Sequence, residues 1–465
     1  MQLKRALLLS LVTVLAGCAT LAPDYQRPAA PVPAAWSAIP AGEAASAASE
    51  LPWREYFVDP QLRQLIQLAL ENSRDLRIAV LNVQRVQAQY RISRADLFPE
   101  LDASAAGSAR RVPADLTSSG SAEVQRQYSV GLGISSYELD LFGRVRSLKQ
   151  QALEQYLASA EARRSVQLSL VAEVASSWLR LAADREQLRL ARETLANQQQ
   201  VYQIIAARQK AGVASELDLQ QAKISVAAAQ VDSARYQNLI ARDVNLLQLL
   251  VGASLPSELQ PGTLPPALNA MPEITPGLSS EVLLQRPDIL AAEHRLQGAD
   301  ANIGAARAAF FPRVTLVSSL GTASDQLGGL FQEGSMAWNF APGVTLPLFT
   351  AGANRANLDV ARTDRDIAVA RYEQAIQTAF REVADALARQ GTIDDQLAAQ
   401  QALTDASTAS YQLSSARYRQ GVDSYLSVLD AQRSLYDAQQ QLIDTQLAKL
   451  DNLVMLYKVL GGGSS

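Results

Sequence analysis

With one histidine and one cysteine among 465 residues, the chain holds almost none of the side chains on which enzymatic and metal chemistry usually rests. No Cys/His cluster with metal-ligand spacing can be assembled, and no nucleophile can be paired with an imidazole beyond His294. That histidine sits in the helical stretch Ala291–Arg295, where a packed or surface residue is the plain reading. GxGxxG and P-loop strings are missing. A formal balance of -4, with no run of Lys or Arg, gives no reason to expect nucleic acid. The apolar run Ala6 to Ala16 is too short for a spanning helix. Neither catalytic residues, nor a metal site, nor a cofactor is therefore expected. Proline is absent from Arg144 to about Lys210 and from Asn354 to about Gln420, so each run is free to form a helix on the order of 100 Å long at 1.5 Å per residue.

What the chain has is a duplication. Asp75–Leu76 through Phe98–Pro99 returns as Asp288–Ile289 through Phe311–Pro312, with Ala88, Arg94 and Ala95 matched by Ala301, Arg307 and Ala308. Downstream, Glu173–Val174–Ala175, Tyr202, Arg208, Gly212–Val213, Leu217 and Ala222 match Glu382–Val383–Ala384, Tyr411, Arg417, Gly421–Val422, Leu426 and Ala431. Each copy is far longer than a solenoid repeat, so a domain-sized unit has been doubled into one pseudo-symmetric body.

The organisation follows from this. Lys4 and Arg5 precede the apolar run, which ends in Leu15–Ala16–Gly17–Cys18. That ending resembles a bacterial lipobox, with residues 1–17 as signal and Cys18 as the acylated residue; the alternative is an ordinary secretory signal with a chance cysteine. A Pro/Ala-rich strap occupies 18–58, repeat 1 occupies 59–254, a Pro-rich linker 255–277, and repeat 2 278–465. In each repeat a helix leads into a β-hairpin, at about 99–140 and 312–349. The first helix is expected to run from near Pro60 to Leu97. Tyr128, Val130, Leu132 and Ile134 alternate with Ser and Gly, as Trp338, Phe340, Val344, Leu346 and Leu348 alternate later, which is the period of a strand with one apolar face. Long helical hairpins follow, with tips near 212 and 421, where glycine supplies the left-handed helix end and Ser215 or Ser424 is placed to cap the return helix. Gly391–Thr392 is a candidate interruption of the second long helix, and Asp184 holds a similar place in the first.

Four amphipathic strands cannot close a membrane barrel, which takes at least eight, so several chains must pool their hairpins. Trp338 and Tyr128 fit an aromatic girdle. Long helices continuing from those strands would extend the ring as a water-filled duct. A small soluble sheet on a helical bundle is the alternative.

The lipobox, the strap ending near Trp53, the two hairpins, Glu138–Arg144, Leu346–Gly352 and Tyr418–Leu435 together resemble the TolC-like outer-membrane efflux family, in its OprM/NodT lipoprotein branch. The resemblance implies a mainly α protein with β: a homotrimer whose 12-stranded β-barrel, four strands per chain, continues into a periplasmic α-helical barrel. It implies an outer-membrane location, anchorage by covalent lipid such as palmitate on Cys18, and a periplasmic extension. It further implies multidrug-type efflux together with a periplasmic adaptor and an inner-membrane transporter, usually of the resistance-nodulation-division class. Carried over residue by residue, Leu426 and Asp430, four apart on one helical face, would form gate rings, and Tyr418 and Arg419 would latch neighbouring hairpins. Gly212, Val213, Ser215 and Leu217, with Gly421, Val422 and Ser424, would receive the adaptor. A non-conducting structural lipoprotein of the outer membrane is the rival reading.

Overall fold

A computed structural model describes residues 20–36, 52–118, 120–265 and 280–462. Cys18 and the signal residues 1–17 lie outside the described residues. The elements, in chain order, are α1 (Trp53–Tyr56), α2 (Pro60–Asn72), α3 (Arg74–Ala95), β1 (Asp102–Val112), β2 (Glu123–Leu139), α4 (Arg144–Lys210), α5 (Glu216–Val251), α6 (Pro287–Ala308), β3 (Arg313–Ser324), β4 (Met336–Thr345), α7 (Ala353–Arg419) and α8 (Tyr425–Val459). The protein is thus mainly helical, with a single antiparallel sheet in the order β1-β2-β3-β4 among the described residues.

Three expectations about these elements need correcting. The helix expected from Pro60 to Leu97 is two helices, parted at Ser73, whose ψ of 130° is extended. There the Ser73 hydroxyl accepts from Leu76 N at 3.5 Å, offering the backbone a cap in place of a continuing turn. The second long helix is not interrupted at Gly391–Thr392: α7 is continuous over 67 residues, and the Thr392 hydroxyl donates back to the carbonyls of Ala388 and Arg389, both at 3.3 Å. Asp184 likewise lies inside an unbroken α4. Finally, β4 stops at Thr345, so Leu346 and Leu348 fall beyond the strand.

The chain packs as two compact units, each assembled from both halves of the sequence. One, formed among the described residues by 20–29, 82–118, 120–160 and 291–372, carries the sheet. Its first described residues lie along α6. The Leu21 carbonyl accepts from Arg307 Nη1 at 2.9 Å, while Tyr25 Oη and Arg27 Nε both donate to Glu293 Oε1, at 2.9 and 2.8 Å. Ala22 passes so close to Gly304 that a Cβ there would come within 2.7 Å of its amide nitrogen, so the helix needs glycine where the strap crosses it. His294 is spent on structure, its Nδ1 lying 2.7 Å from Glu154 Oε2.

The other unit, formed among the described residues by 30–36, 52–81, 161–265, 280–290 and 373–462, holds the main apolar core. Asp59 caps α2 by accepting from Gln61 N and Leu62 N, at 2.8 and 2.9 Å, and Pro60 at the first position is preset for the helix. The 3–4 spacing of Leu62, Leu65, Ile66 and Ala69 then buries one face against Trp178, Leu179, Leu181 and Ala182 of α4 and Leu247 and Val251 of α5, within one cluster that includes Val454 and Tyr457 of α8. Tyr56 fixes the end of the strap there: its ring lies 4.4 Å from that of Tyr457, and its hydroxyl donates to the Leu453 carbonyl at 2.6 Å. Arg286 is buried and closes the α6 entry through Asp288, Glu382 and the Val459 carbonyl, at 2.8–2.9 Å.

Candidate functional site

The sheet has two chemically different faces, and the pairing register sorts every side chain onto one of them. Leu132 stands opposite Ala103 on β1 and Leu320 on β3, and Leu320 stands opposite Trp338 on β4. Because directly paired residues share a face, one side of the sheet carries Tyr128, Val130, Leu132 and Ile134 of β2, Val314, Leu316 and Leu320 of β3, and Met336, Trp338, Phe340 and Val344 of β4. A bulge between Ile134 and Tyr137 keeps Tyr137 and Leu139 on the same side. The other face carries Ser104, Ser108, Gln125, Gln127, Ser129, Thr315, Ser319 and Asn339.

The apolar side chains are not covered. Trp338 is 72% exposed, Phe340 60%, Leu320 57% and Leu132 51%. From Tyr128 to Leu139 the apolar face extends roughly 28 Å along the barrel direction for a strand tilted about 40°, a match to the apolar band of an outer-membrane barrel. Both outer strands, β1 and β4, leave one edge without a strand partner among the described residues. Pro342 of β4 stands opposite Leu316 and has no N–H to give a ladder. An apolar exposed face with two open edges demands lipid on one side and further strands at its margins.

Where the strands give way to helix, Glu138 gathers two arginines, Arg144 Nη2 and Arg313 Nε, each 2.6 Å from Oε2. Phe142 and Phe311 stack beside them with centroids 4.8 Å apart. These residues line a cavity of about 290 Å³.

The second constellation is at the helical tips, where α4 turns into α5 and α7 into α8. Gly212 and Gly421 take φ values of 76° and 73°, the left-handed conformation that ends a helix at little cost only with glycine. The two tips are stabilised differently. At the first, Ser215 Oγ accepts from Asp218 N at 3.1 Å and the Asp218 carboxylate accepts from Ser215 N at 3.0 Å, a reciprocal cap. Ser424 occupies the equivalent position but makes no side-chain cap bond. The second tip is closed by Arg417 and Asp423. Asp423 is held below the usual carboxylate range by its hydrogen bond to Arg417. Ile205 and Ala222 of the first hairpin share one apolar cluster with Tyr425, Val428 and Leu429 of the second.

The residues singled out in the sequence fall around this cluster. Leu426 is 49% exposed, and Asp430, one turn on, is exposed with a carboxylate that makes no ion pair among the described residues. Val213, Leu217 and Val422 are 60–66% exposed. Gly212, Ser215, Gly421 and Ser424 are exposed with them. Tyr418 packs its ring on Tyr425 at 5.6 Å and under the Arg208 guanidinium at 5.1 Å. Arg419 donates to the Ser415 carbonyl of its own helix at 3.3 Å. Within one chain Tyr418 meets the first hairpin through the cation–π contact with Arg208, and among the described residues no hydrogen bond or ion pair from Tyr418 or Arg419 reaches that hairpin.

Three features escaped the sequence reading. Arg208 and Arg417 were visible as matched residues of the duplication, but nothing in a linear pattern shows that one stacks on tyrosine and the other pairs with Asp423. Glu138 as a hub depends on the turn that returns Arg144 and on the β2–β3 pairing that brings Arg313. The third is a carboxylate pair inside the helices: Asp184 is pushed up to about 7, first by burial and then by its hydrogen bond to Asp243 and that group's charge. Asp243 is itself raised by burial, and its Oδ2 is buried without a partner among the described residues.

A family model described as outer membrane efflux protein matches residues 65–253 and 278–462, and the chain belongs to that family. The toluene efflux pump outer membrane protein TtgI of Pseudomonas putida is 49% identical over 457 residues, 97% of either chain. Outer membrane protein OprJ of Pseudomonas aeruginosa is 45% identical over 404 residues, covering 87% of this chain and 84% of OprJ. Among solved structures, the open-state MtrE outer membrane channel of Neisseria gonorrhoeae superposes with a TM-score of 0.85 at 40% identity, covering 96% of this chain and 98% of that one. The amphipathic sheet and the long helical hairpins are those of an efflux outer-membrane channel.

Proposed function

We propose that three copies of this chain form the exit duct of a tripartite efflux assembly. Each copy contributes β1–β4 to a 12-stranded barrel, β1 of one copy pairing with β4 of the next, and their helices continue the conduit into the periplasm. The observation that carries this reading is the sheet itself, four strands with one exposed apolar face, one polar face and two open edges. In the closed barrel the apolar face meets lipid and the polar face lines the lumen. Cys18 carries covalent lipid in this reading. The path of Leu21 to Arg27 along α6 supports it, since Leu21 is held by Arg307 near the end of that helix, six residues before β3 begins.

The helical tips are the periplasmic end. There Leu426 and Asp430 of three copies narrow the duct, an apolar ring beside an acidic one that favours cations, with Tyr418 and Arg419 at the contacts between hairpins. The exposed apolar residues Val213, Leu217 and Val422, on glycine turns with Ser215 and Ser424, offer two similar footprints per chain to a periplasmic adaptor. The adaptor in turn links the duct to an inner-membrane transporter, for which the resistance-nodulation-division class is the expected partner. Relatives named for solvent, toluene and antibiotic efflux support small, largely apolar compounds as cargo.

Single-channel conductance in planar bilayers tests the reading. The purified wild-type protein should conduct weakly, and a Leu426→Ala/Asp430→Ala variant should conduct several-fold more. Equal conductance in the two would remove these residues from the gate. Failure of both to conduct, with trimers verified in the bilayer, would overturn the duct in favour of a structural lipoprotein.

A further inference from the structure

Two arginines on the sheet do not serve the lumen. Arg111 of β1 stands opposite Val124, and Arg126 of β2 stands opposite Ala109. The register therefore puts both on the apolar face, beyond Tyr128, where Val124 is the one further apolar side chain of β2. They are diagonal neighbours on paired strands, at a Cα separation of about 7–8 Å. Both are exposed, and neither makes a hydrogen bond or ion pair among the described residues. The adjacent arginine behaves differently: Arg110, on the polar face, donates to Gln125 Oε1 at 3.0 Å. Glu123, the nearest acid on β2, is also on the polar face, where it accepts from Gln125 at 2.9 Å. Two like charges on neighbouring strands repel one another, and neither is neutralised by an ion pair among the described residues, Asp115 of the same hairpin turn included.

Their position says what anion would serve. This rests on the barrel proposed above, in which the hairpin turns 113–122 and 325–335 point outward. On the lipid side, directly above the apolar band, a side chain meets the headgroups of the outer leaflet. A guanidinium binds phosphate oxygens with two parallel bonds, and a pair of them on neighbouring strands matches a headgroup with more than one phosphate oxygen to offer. We propose that Arg111 and Arg126 form a binding site for the phosphorylated sugar headgroup of an outer-leaflet glycolipid. The acyl chains of that lipid lie along Tyr128, Val130 and Leu132.

Native mass spectrometry of the full-length trimer with bisphosphorylated lipid A as probe tests this. Wild type should retain lipid A, and an Arg111→Gln/Arg126→Gln variant should bind it about tenfold more weakly. Arg111→Lys/Arg126→Lys should recover part of the loss, and Arg110→Gln should bind as wild type. Bilayer conductance of the double variant should be unchanged, which separates loss of this site from loss of the duct. Retention by the double Gln variant equal to wild type would overturn the proposal, as would equal binding of phosphate-free lipid A. Preference for phosphatidylglycerol over lipid A would overturn it by assigning these arginines to the other leaflet. The β3–β4 turn also carries Asp325 and Glu333; if Glu333→Gln reproduced the loss, the arginines would be pairing with a neighbouring copy and the lipid site would fall.

Discussion

Arg417 and Asp423 close the second helical tip with two parallel bonds, Nε to Oδ2 at 2.6 Å and Nη2 to Oδ1 at 3.0 Å. Both groups lie at the surface, so the pair adds little to global stability. Its effect is local, because it spans the turn that Gly421 makes and stands in for the cap that Ser424 does not supply. Asp423→Asn should therefore speed amide exchange across residues 420–425 while leaving the melting temperature within about a degree. Since the carboxyl titrates below its ordinary value, the bond is intact above about pH 4 and is lost as pH falls further. Exchange rates at the first tip, held by Ser215 and Asp218, should be unaffected; faster exchange at both tips would show that the pair acts beyond its own turn.

Asp184 and Asp243 make a different pH prediction. A carboxyl raised to about 7 in the fold binds a proton there that the unfolded chain has released above about pH 4. Stability should therefore fall as pH rises from about 4 to 7, the opposite of a salt-bridged carboxylate. Asp243→Asn keeps the volume and removes one of the two charges. It should flatten that slope and raise stability at pH 8 by up to about 1 kcal/mol, the gain being limited by the solvent contact that Asp184 retains. Thermal melts of both proteins between pH 5 and 8 decide it, and parallel pH profiles would show that the two carboxyls do not share a proton.

Much of the fold was legible because it is written in periods. Alternation at Tyr128–Ile134 located β2, the missing prolines located α4 and α7, and the matched Gly212 and Gly421 located both tips. The break at Ser73 escaped because the apolar spacing of Leu62 to Val83 runs across it, while the extended backbone of one serine parts the helices locally. At Thr392 the error ran the other way. Gly–Thr is a poor helix pair by propensity, yet a long helix tolerates it when the hydroxyl bonds back to the preceding turn. The site residues divide on the same line. That Leu426 and Asp430 share a face follows from their spacing of four, whereas Arg208 and Asp184 find their partners on other helices, Glu138 finds Arg313 on another strand, and Arg417 meets Asp423 only once the tip has turned.

Tyr425 tests how the tip cluster is held. Its ring is buried among Ile205, Val428 and Leu429, while its hydroxyl is buried with no hydrogen-bond partner among the described residues. Burial accordingly pushes the phenol up to about 12. Tyr425→Phe removes an unpaired polar atom and keeps the packing, so it should leave stability unchanged or raise it by about 1 kcal/mol. Tyr425→Ala should cost roughly 3–5 kcal/mol through the cavity it opens. Denaturation of the two variants should separate them clearly; a Phe variant as damaged as the Ala variant would mean the hydroxyl has a partner in the assembled trimer.

Leu320 and Ser319 are consecutive on β3 and point to opposite faces of the sheet, and this makes the assignment of faces directly testable. Leu320 pairs with Leu132 and Trp338 on the apolar side, and Ser319 pairs with Gly133 and Asn339 on the polar side. A cation at mid-depth on the lipid side of a barrel costs about 2–4 kcal/mol, whereas one facing the lumen is solvated. Leu320→Arg should therefore sharply lower the yield of folded trimer in outer membranes. Ser319→Arg should assemble normally and shift ion selectivity toward anions, since it adds a positive ring to the bore. The reverse pattern, with the Ser319 variant failing to assemble and the Leu320 variant conducting with altered selectivity, would turn the barrel inside out. Equal assembly of both would mean that neither face meets lipid.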